Sequence, residues 1–349
     1  MIWIIVIAVI IFIFFIFKIV SIRNSLYGKT LRPFLDLYAI DKNGNEILTN
    51  ILFITHPFSN NSQIEMYKDK KVNGNLFLGM TSYSEFPGMI SNPHDRFHNP
   101  DDIAWKYNYN EIVDGWCYCF RKPENFIKVD RPSILLSESD FANYEYLVSN
   151  PNITPEYDFI YICIKDNDTC TAGWQSYNRN WEKAKLMLDI MCNDFGLKGL
   201  LIGRINCEIP ASCHHLMNLT DFQTYQEFIK NYNKVRFIFV PNMTDASPRV
   251  VTEAMCFNLP VFMNEDILGG WKYISPEVGE LFKNDMSDFS GKLRIFLNNL
   301  NSYTPRKYFI ENYGKYNSGK KLLSFVKQVY PKEKLNFDID SVVYMKPAV

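Results

Sequence analysis

Two acidic residues late in the chain have the type and spacing of a ligand-binding pair. Seven residues separate Asp245 from Glu253. The apolar run 235–240 before them predicts a buried strand, and Ser247 is a good N-cap for a helix that carries Arg249 and Glu253. Such a helix begins at the carboxyl end of a strand, where open α/β sheets bind ligands and where helix N–H groups attract anions. We therefore expect both acids, with Ser247 and Arg249, at one ligand-binding crevice.

The residues that follow make this pair more specific. After Glu253 the chain reads Ala-Met-Cys-Phe-Asn-Leu-Pro-Val. With Asp245, this stretch resembles the acidic signature of retaining glycosyltransferases with the GT-B fold, in particular the donor domain of glycosyltransferase family 4. The resemblance covers about residues 157–283 and implies that Glu253 binds the ribose of a nucleotide and that Asp245 contacts the donor sugar. Two departures are Asp in place of the usual Glu at 245 and Phe-Asn in place of a small pair at 257–258.

Either acid alone also has a structural explanation. An acid before a helix compensates the helix dipole, and an exposed Glu253 would pair with Arg249 one turn earlier. Because the two acids occur together between a strand and a Leu-Pro-Val segment, we favour a nucleotide-sugar site.

The loop 165–179 after the first strand of the same half is expected over the same crevice. The resemblance implies an Arg and a Lys that hold the donor diphosphate, where negative charge builds as the glycosidic bond breaks. Arg179 is the better match and Lys183 the second, with Lys165 as an alternative. The other donor-site candidates at this edge are Gly173 and Arg204.

The tripeptide Asp166-Asn-Asp168 indicates a rival chemistry. It has the form by which A-type glycosyltransferases hold Mn²⁺ or Mg²⁺ on the diphosphate, since hard cations prefer paired carboxylates. An A-type chain would place its nucleotide domain first, whereas here the regular half comes second. We therefore expect no metal and no cofactor, the nucleoside-diphosphate sugar being a substrate, and keep the metal-dependent route as an alternative.

The chain around these residues predicts an α/β protein with two Rossmann-like domains facing a cleft. Turn-rich residues 149–155 suggest the boundary between them. After it, strands alternate with helices, as in a parallel sheet. The predicted divisions are an acceptor-side domain at 46–150, a donor domain at 151–330 and a carboxyl-terminal tail at 331–349. In these domains the predicted strands lie at 51–55, 76–80, 115–120, 133–136, 159–164, 199–203 and 235–240, and the main predicted helices at 180–195 and 221–232.

The first domain offers weaker candidates. His56 follows a predicted strand and would polarise an acceptor or contact a donor phosphate, so we include it among the catalytic residues. His94 and His98 lie in a cluster that fits either a metal site or an ordinary turn of Asn, Pro and Asp. Asp140, after an apolar run, is a further candidate.

Residues 1–20 are almost wholly Ile, Val, Phe, Trp and Ala. A helix of this length just crosses about 30 Å of hydrocarbon, and the segment lacks the basic start and cleavage site of a signal peptide. We expect an uncleaved transmembrane anchor, followed by a juxtamembrane linker at 21–45. The positively charged residues after the anchor favour a cytosolic catalytic part, with a luminal one as the alternative.

Cysteines and glycosylation motifs bear on the same question. The eight cysteines lack framework spacing, which is typical of a reducing compartment. Of the Asn-X-Ser/Thr motifs, those at Asn167 and Asn242 lie beside the predicted crevice, where a glycan would obstruct binding. The other motifs of this kind begin at Asn60, Asn152 and Asn218.

The sequence thus predicts a membrane-anchored retaining glycosyltransferase of carbohydrate biosynthesis. Its partners would be a nucleotide-sugar donor, a glycan, lipid or protein acceptor that the sequence does not identify, and the membrane through residues 1–20. A net charge of -1 gives no basic surface for nucleic acid. The alternatives are a catalytically inactive nucleotide-sugar binding module, a metal-dependent A-type enzyme using Asp166 and Asp168, and a nucleotide-sugar epimerase.

Overall fold

The computed structural model describes residues 32–338 and 340–346. The predicted membrane anchor at 1–20 lies outside these residues. Among the residues that are described, no helix is long and apolar enough to span a membrane. The described chain forms two six-stranded sheets, one in each of two domains.

The strands follow the apolar runs of the sequence, and the predicted strands are confirmed within two residues at each end, except that β2 begins five residues before its predicted start. In chain order they are β1 (Phe34–Ile40), β2 (Glu46–Ile54), β3 (Leu76–Met80), β4 (Trp116–Tyr118), β5 (Ser133–Leu135), β6 (Tyr157–Ile162), β7 (Gly199–Ile202), β8 (Met217–Thr220), β9 (Val235–Val240), β10 (Val261–Asn264), β11 (Gly279–Phe282) and β12 (Val342–Met345).

The helices are less regular than the strands. The predicted helix at 221–232 consists of one α-helical turn followed by a 3₁₀ helix over Ile229–Lys234. The α-helices in the described residues are α1 (Asn61–Val72), α2 (Tyr109–Ile112), α3 (Trp174–Asn178), α4 (Trp181–Asn193), α5 (Tyr225–Phe228), α6 (Arg249–Cys256), α7 (Phe289–Asn298), α8 (Pro305–Asn312) and α9 (Gly314–Val329).

The first sheet has the strand order β12-β1-β2-β3-β4-β5. Strands β2 to β5 are parallel, whereas β1 pairs antiparallel with both β2 and β12, so that Leu37 faces Met345. The segments predicted as a juxtamembrane linker at 21–45 and as a tail at 331–349 each contain a strand of this sheet, β1 in the first and β12 in the second. The physical reason is burial, since Leu37, Ala39 and Met345 lie in the core of the first domain.

The last helix also belongs to the first domain. Helix α9 begins inside the range predicted for the donor domain, but its buried residues Leu322, Phe325 and Val326 pack with Ile51 and Phe53 of the first sheet. The chain therefore crosses back to the first domain after α8. The boundary predicted at residue 330 moves toward the start of α9.

The second sheet is parallel throughout, in the order β11-β10-β9-β6-β7-β8. Both its faces are buried: Phe237 and Phe239 pack on one side, and Ile238 and Val240 on the other. The strand order reverses between β6 and β9. In open parallel sheets, the loops that follow two such strands run in opposite directions and leave a crevice between them at the carboxyl ends of the strands. Ligands bind in this crevice. The loops after β6 and β9 are the two that contain Arg179 and Asp245.

Candidate functional site at the domain interface

The loop that carries Asp245 is held by a glycine turn. The backbone N–H of Gly269 donates to the Asp245 carbonyl at 3.0 Å, and a β-carbon at Gly269 would overlap the Ala246 carbonyl. Gly270 has a φ of +84° and packs against Pro248. This close approach needs glycine at both positions and fixes the backbone that presents Asp245.

Asp245 forms an ion pair with Arg179. Arg179 is the C-cap of α3, so the short helix after β6 leads to the residue whose guanidinium meets the loop after β9. The side-chain amide of Asn242 also donates to Asp245, at 3.0 Å. Burial opposes the charge of Arg179, but the Asp245 carboxylate outweighs it and raises the guanidinium pKa. The structure thus brings together the predicted sugar-contacting acid and the predicted diphosphate-binding cation.

Glu253 lies on the buried face of α6. It accepts hydrogen bonds from the hydroxyls of Tyr225 at 3.0 Å and Tyr232 at 3.3 Å, and Arg249 lies 3.5 Å away. Burial raises the pKa of the Glu253 carboxyl, and the Arg249 charge and the two tyrosines partly offset this rise. The structural explanation, in which Glu253 is an exposed residue that pairs with Arg249, therefore does not apply, because Glu253 is buried.

Ser247 is not the N-cap of the helix. Pro248 occupies the cap position, and no side chain accepts from the first turn there. The Ser247 hydroxyl is instead hydrogen bonded to Ser137 at 2.5 Å and to Ser139 at 2.7 Å, both from the first domain. The prediction of an N-cap was wrong because this serine found partners across the domain interface, which local propensity does not reveal.

A cavity of about 480 Å³ lies against Glu253. Arg249 and Tyr225 line it from the second domain, and the connecting segment 141–147 lines it from the other side. Asp245 is not among its lining residues. The two acids therefore do not share this cavity, and their convergence on one ligand stays a prediction.

Glu138, which is not among the predicted site residues, lies between the two domains. It begins the 3₁₀ helix Glu138–Phe141, directly after β5 and therefore at the carboxyl edge of the first sheet. Burial raises the pKa of its carboxyl. Arg249 and Arg32 lower this pKa again, and Asp245 raises it further. The 3₁₀ helix that begins at Glu138 contacts α6, the helix that carries Arg249 and Glu253. Its position after a strand was the available signal, but Asp140 was chosen in its place.

Asp140 has a structural role at the domain interface. It accepts from Lys272 at 2.6 Å and from the Tyr273 hydroxyl at 2.5 Å, both in the second domain. It also accepts from the backbone of Ser137 and so closes a capping box for the 3₁₀ helix. Asp140 therefore joins the two domains.

Solved glycosyltransferase structures share this architecture. The crystal structure of TarM aligns with a TM-score of 0.53 and 14% sequence identity over 81% of this chain, which spans 59% of TarM. Sucrose-phosphate synthase from Thermosynechococcus elongatus aligns with a TM-score of 0.54 and 9% identity, covering 77% of this chain and 72% of the other. A glycosyltransferase from Rickettsia africae ESF-5 aligns with a TM-score of 0.53 and 15% identity, covering 81% and 77%. This chain has the GT-B fold.

The likeness is one of fold alone. No family model matches the sequence, and a comparison with curated proteins finds no match. Here the segment after β5, which begins with Glu138, contacts α6 across the domain interface.

The other cations of the predicted donor site have protein partners. Lys183 donates to the Asn284 carbonyl at 3.0 Å, and Lys165 pairs with Asp168 at 3.1 Å. Arg204 is fully buried, stacks on Trp181 at 4.3 Å and donates to Ser176 at 2.6 Å. The expectation that Arg204 faces the crevice as a cation is therefore wrong, because its charge is enclosed beneath α3 and α4.

Asp166 caps α3, so both of its carboxylate oxygens have protein partners. Its carboxylate accepts from the backbone N–H groups of Gln175 at 2.6 Å and Ser176 at 3.0 Å. Gly173 is required beside it, since a β-carbon there would lie 2.9 Å from the Asp166 carboxyl. Across residues 32–338 and 340–346 there is no group of three acidic, His or Cys side chains that could hold a metal ion.

His56 lies at the carboxyl end of β2, as predicted, but it is buried. Its Nδ1 lies 3.0 Å from the Thr55 hydroxyl, and its ring packs against Tyr83. Burial, with the nearby charges of Arg32 and Arg96, lowers its pKa to about 3. His56 is therefore neutral at physiological pH and does not bring a positive charge to a phosphate.

The cluster around His94 and His98 is a turn. The Asn92 side chain accepts from the backbone of His94 at 2.9 Å, and the Asp95 side chain accepts from the backbone of Phe97. The ring of His98 lies 3.2 Å from the Ile90 carbonyl. The turn explanation, which the sequence left open, accounts for this cluster.

Four of the eight cysteines form disulfides, Cys170 with Cys207 and Cys192 with Cys213. The interpretation of scattered, reduced cysteines was therefore wrong for these four, because residues distant in sequence meet between neighbouring loops. The cysteines without a disulfide partner, all buried, are Cys117, Cys119, Cys163 and Cys256.

Proposed function

We propose that this chain is a retaining glycosyltransferase, tethered to a membrane by residues 1–20, that uses a nucleoside-diphosphate sugar as donor. The observation that carries this proposal is the Arg179–Asp245 pair at the point where the strand order of the second sheet reverses. A cation there can neutralise a diphosphate leaving group, and an acid beside it can orient the sugar being transferred.

The donor would extend across Arg249. Glu253, with its hydrogen-bonding tyrosines, would accept the ribose hydroxyls from the cavity side, where Tyr225 offers an aromatic face. Arg249 and Arg179 would meet the phosphates, and Asp245 the sugar. The nucleoside end of the donor would thus lie in the cavity at Glu253 and its sugar end at Asp245. Because cationic side chains meet the phosphate charge, this arrangement requires no metal.

A related structure supports the choice of donor class. An S. aureus TarM mutant, similar to this chain with a TM-score of 0.53 and 15% identity, was solved in complex with Fondaparinux, alpha-GlcNAc-glycerol and UDP. The alignment covers 76% of this chain and 53% of TarM. UDP-sugars are therefore the first donors to examine, followed by the GDP- and ADP-sugars.

Substitution of Glu253 tests the proposal. We expect Glu253→Ala to abolish UDP binding by calorimetry, because both the ribose acceptor and its aligned tyrosines are lost. Glu253→Gln keeps the shape and should weaken binding by about 10- to 100-fold, as expected for loss of about 1.5–3 kcal/mol from a hydrogen bond to a charged group. The matched control is Glu182→Ala, an exposed helical glutamate paired with Lys185, which should bind like the parent chain.

Two outcomes would contradict the assignment. One is unchanged affinity in both Glu253 variants, with melting curves that show a folded protein. The other is absence of binding by the parent chain to UDP, GDP and ADP alike, which would remove the donor class itself. Calorimetry on the full chain distinguishes these outcomes directly.

A catalytically inactive binding module remains the second candidate. The observation in its favour is that Asp245, already shorter than the usual Glu, is engaged by Arg179 and Asn242. An inactive module would retain a radiolabelled donor without releasing nucleotide in a single-turnover assay, whereas a transferase or a slow hydrolase would release it.

A further inference from the structure

Both disulfides lie in one part of the second domain, between β6 and β8. Cys170–Cys207 joins the loop after β6 to the loop after β7, and Cys192–Cys213 joins the end of α4 to the 3₁₀ helix Ala211–Cys213. The first bond lies in the loop that leads to Arg179. The second lies farther along α4, against the outer face of the sheet.

The loop around Cys170 has little else to hold it. Residues 167–169 are exposed, and the Asp168 side chain, 98% exposed, is joined only to Lys165 by an ion pair that contributes little in water. The Asn167 side chain bonds to Thr169 and Thr171 inside the same loop. These contacts shape the loop but do not attach it to the domain, so the covalent bond to Cys207 supplies that attachment.

The loop in turn positions the helix that ends at Arg179. Asp166, at its beginning, caps α3 through Gln175 and Ser176, and the Ser176 hydroxyl accepts from buried Arg204. The two loops are therefore connected twice, at their bases by the Asp166–Ser176–Arg204 hydrogen bonds and at their tips by the disulfide. The carboxyl end of α3 is held separately, by the Tyr161 hydroxyl, which donates to the Arg179 carbonyl at 2.7 Å, and by the Met243 N–H, which donates to the Asn178 carbonyl at 3.0 Å. The disulfide and the Asp166 hydrogen bonds therefore restrain the other end, where the loop enters α3.

We infer that the Cys170–Cys207 disulfide is a positioning element of the donor site and that donor binding requires the oxidised chain. The bond forms by thiol–disulfide exchange: a disulfide-bearing oxidant accepts two electrons and the two thiol protons and leaves as a dithiol. This inference rests on the proposed function, since it assigns the bond to the Arg179 side of that site. It is independent of the Cys192–Cys213 bond.

The inference also changes the expected compartment. Structural disulfides persist in oxidising compartments, so the luminal alternative is favoured over the predicted cytosolic location. Exposure of the glycosylation motifs agrees with that placement. Asn242 is buried and excluded as an acceptor, whereas the exposed asparagines of these motifs are Asn60, Asn152, Asn167 and Asn218.

The experiment compares two disulfide knockouts of the full chain, produced under oxidising conditions and purified in detergent. Non-reducing peptide mapping first verifies the Cys170–Cys207 bond in the parent chain. Cys170→Ser/Cys207→Ser should then raise the Kd for UDP by about tenfold or more, because the loop between Asp166 and α3 loses its covalent attachment beside Arg179. Cys192→Ser/Cys213→Ser is the matched control and should keep the parent Kd, although both variants should melt at lower temperature.

Reduction provides the second arm. Dithiothreitol should weaken UDP binding by the parent chain to the level of the Cys170→Ser/Cys207→Ser variant and should leave the affinity of that variant unchanged. Equal affinity of the oxidised and reduced parent chains, or free thiols at Cys170 and Cys207 in the peptide map, would overturn the inference. Failure of the oxidised parent chain to bind any nucleotide would instead refute the proposed function.

Discussion

Two ion pairs at the domain interface show how differently this fold treats a buried charge. Asp140 and Lys272 are 5% and 7% exposed and join the two domains, with the Tyr273 hydroxyl as an additional donor. Asp245 and Arg179 are 13% and 19% exposed and lie within the second domain, at the crevice. The first pair is enclosed by protein, whereas the second can be reached by a ligand.

The difference separates a structural site from a functional one. An enclosed pair with each oxygen satisfied has no capacity left for a ligand, and removal of one partner leaves an uncompensated buried charge. A pair that is partly open can exchange its partner for a phosphate or a sugar hydroxyl at lower cost. The comparison predicts a loss of stability from substitution at Asp140 and a loss of activity from substitution at Arg179.

The largest expected effect is on stability, at Asp140. Asp140→Ala should lower the free energy of unfolding by about 3–5 kcal/mol, because Lys272 keeps its charge without a partner between the domains. Urea denaturation at neutral pH measures this difference. Glu65→Ala, which breaks the exposed Lys68–Glu65 pair on α1, is the control and should cost less than about 1 kcal/mol. Similar values for the two variants would show that the Asp140 pair is not enclosed in solution.

The next effect is on activity, at Arg179. Arg179→Met should reduce sugar transfer by about 100- to 1,000-fold, as expected when a group that stabilises the leaving group is removed. Its loss of stability should be smaller than that of Asp140→Ala, since Asp245 stays partly exposed and keeps Asn242 as donor. Arg236→Met, in an exposed pair with Asp158, is the matched control and should transfer sugar normally. The comparison would be reversed if Arg179→Met mainly destabilised the chain while its folded fraction still transferred sugar normally.

Local patterns predicted the second domain well because its determinants are local. Periodic apolar residues specified β6, β7 and β9, and the strand order places the loops of Arg179 and Asp245 together. Predictions failed where distant segments meet. Strand β12 pairs with β1 across almost the whole chain, and its four residues carry too short a pattern to be recognised.

Within the site, the type of residue was easier to predict than its partner. Arg179 and Asp245 were expected at one crevice and are in contact. Ser247 was expected to cap a helix, and Arg204 to face a ligand, but each found a stronger partner that only the tertiary structure supplies. The disulfides were missed for the same reason, since sequence separations of 37 and 21 residues give no indication of pairing.

His56 extends the comparison to a buried group without an ion-pair partner, and its effect should be the smallest. The folded chain holds its pKa at about 3, below its value of about 6.5 in the unfolded chain. Between these values the unfolded state binds a proton that the folded state does not. Stability from this group is therefore complete above pH 6.5 and falls with pH below it, by up to about 1.4 kcal/mol per unit. His56→Gln should remove this dependence, so that its urea curves at pH 7, 6 and 5 lie closer together than those of the parent chain. If the urea curves of His56→Gln were spaced as widely as those of the parent chain, His56 would titrate normally and be open to solvent.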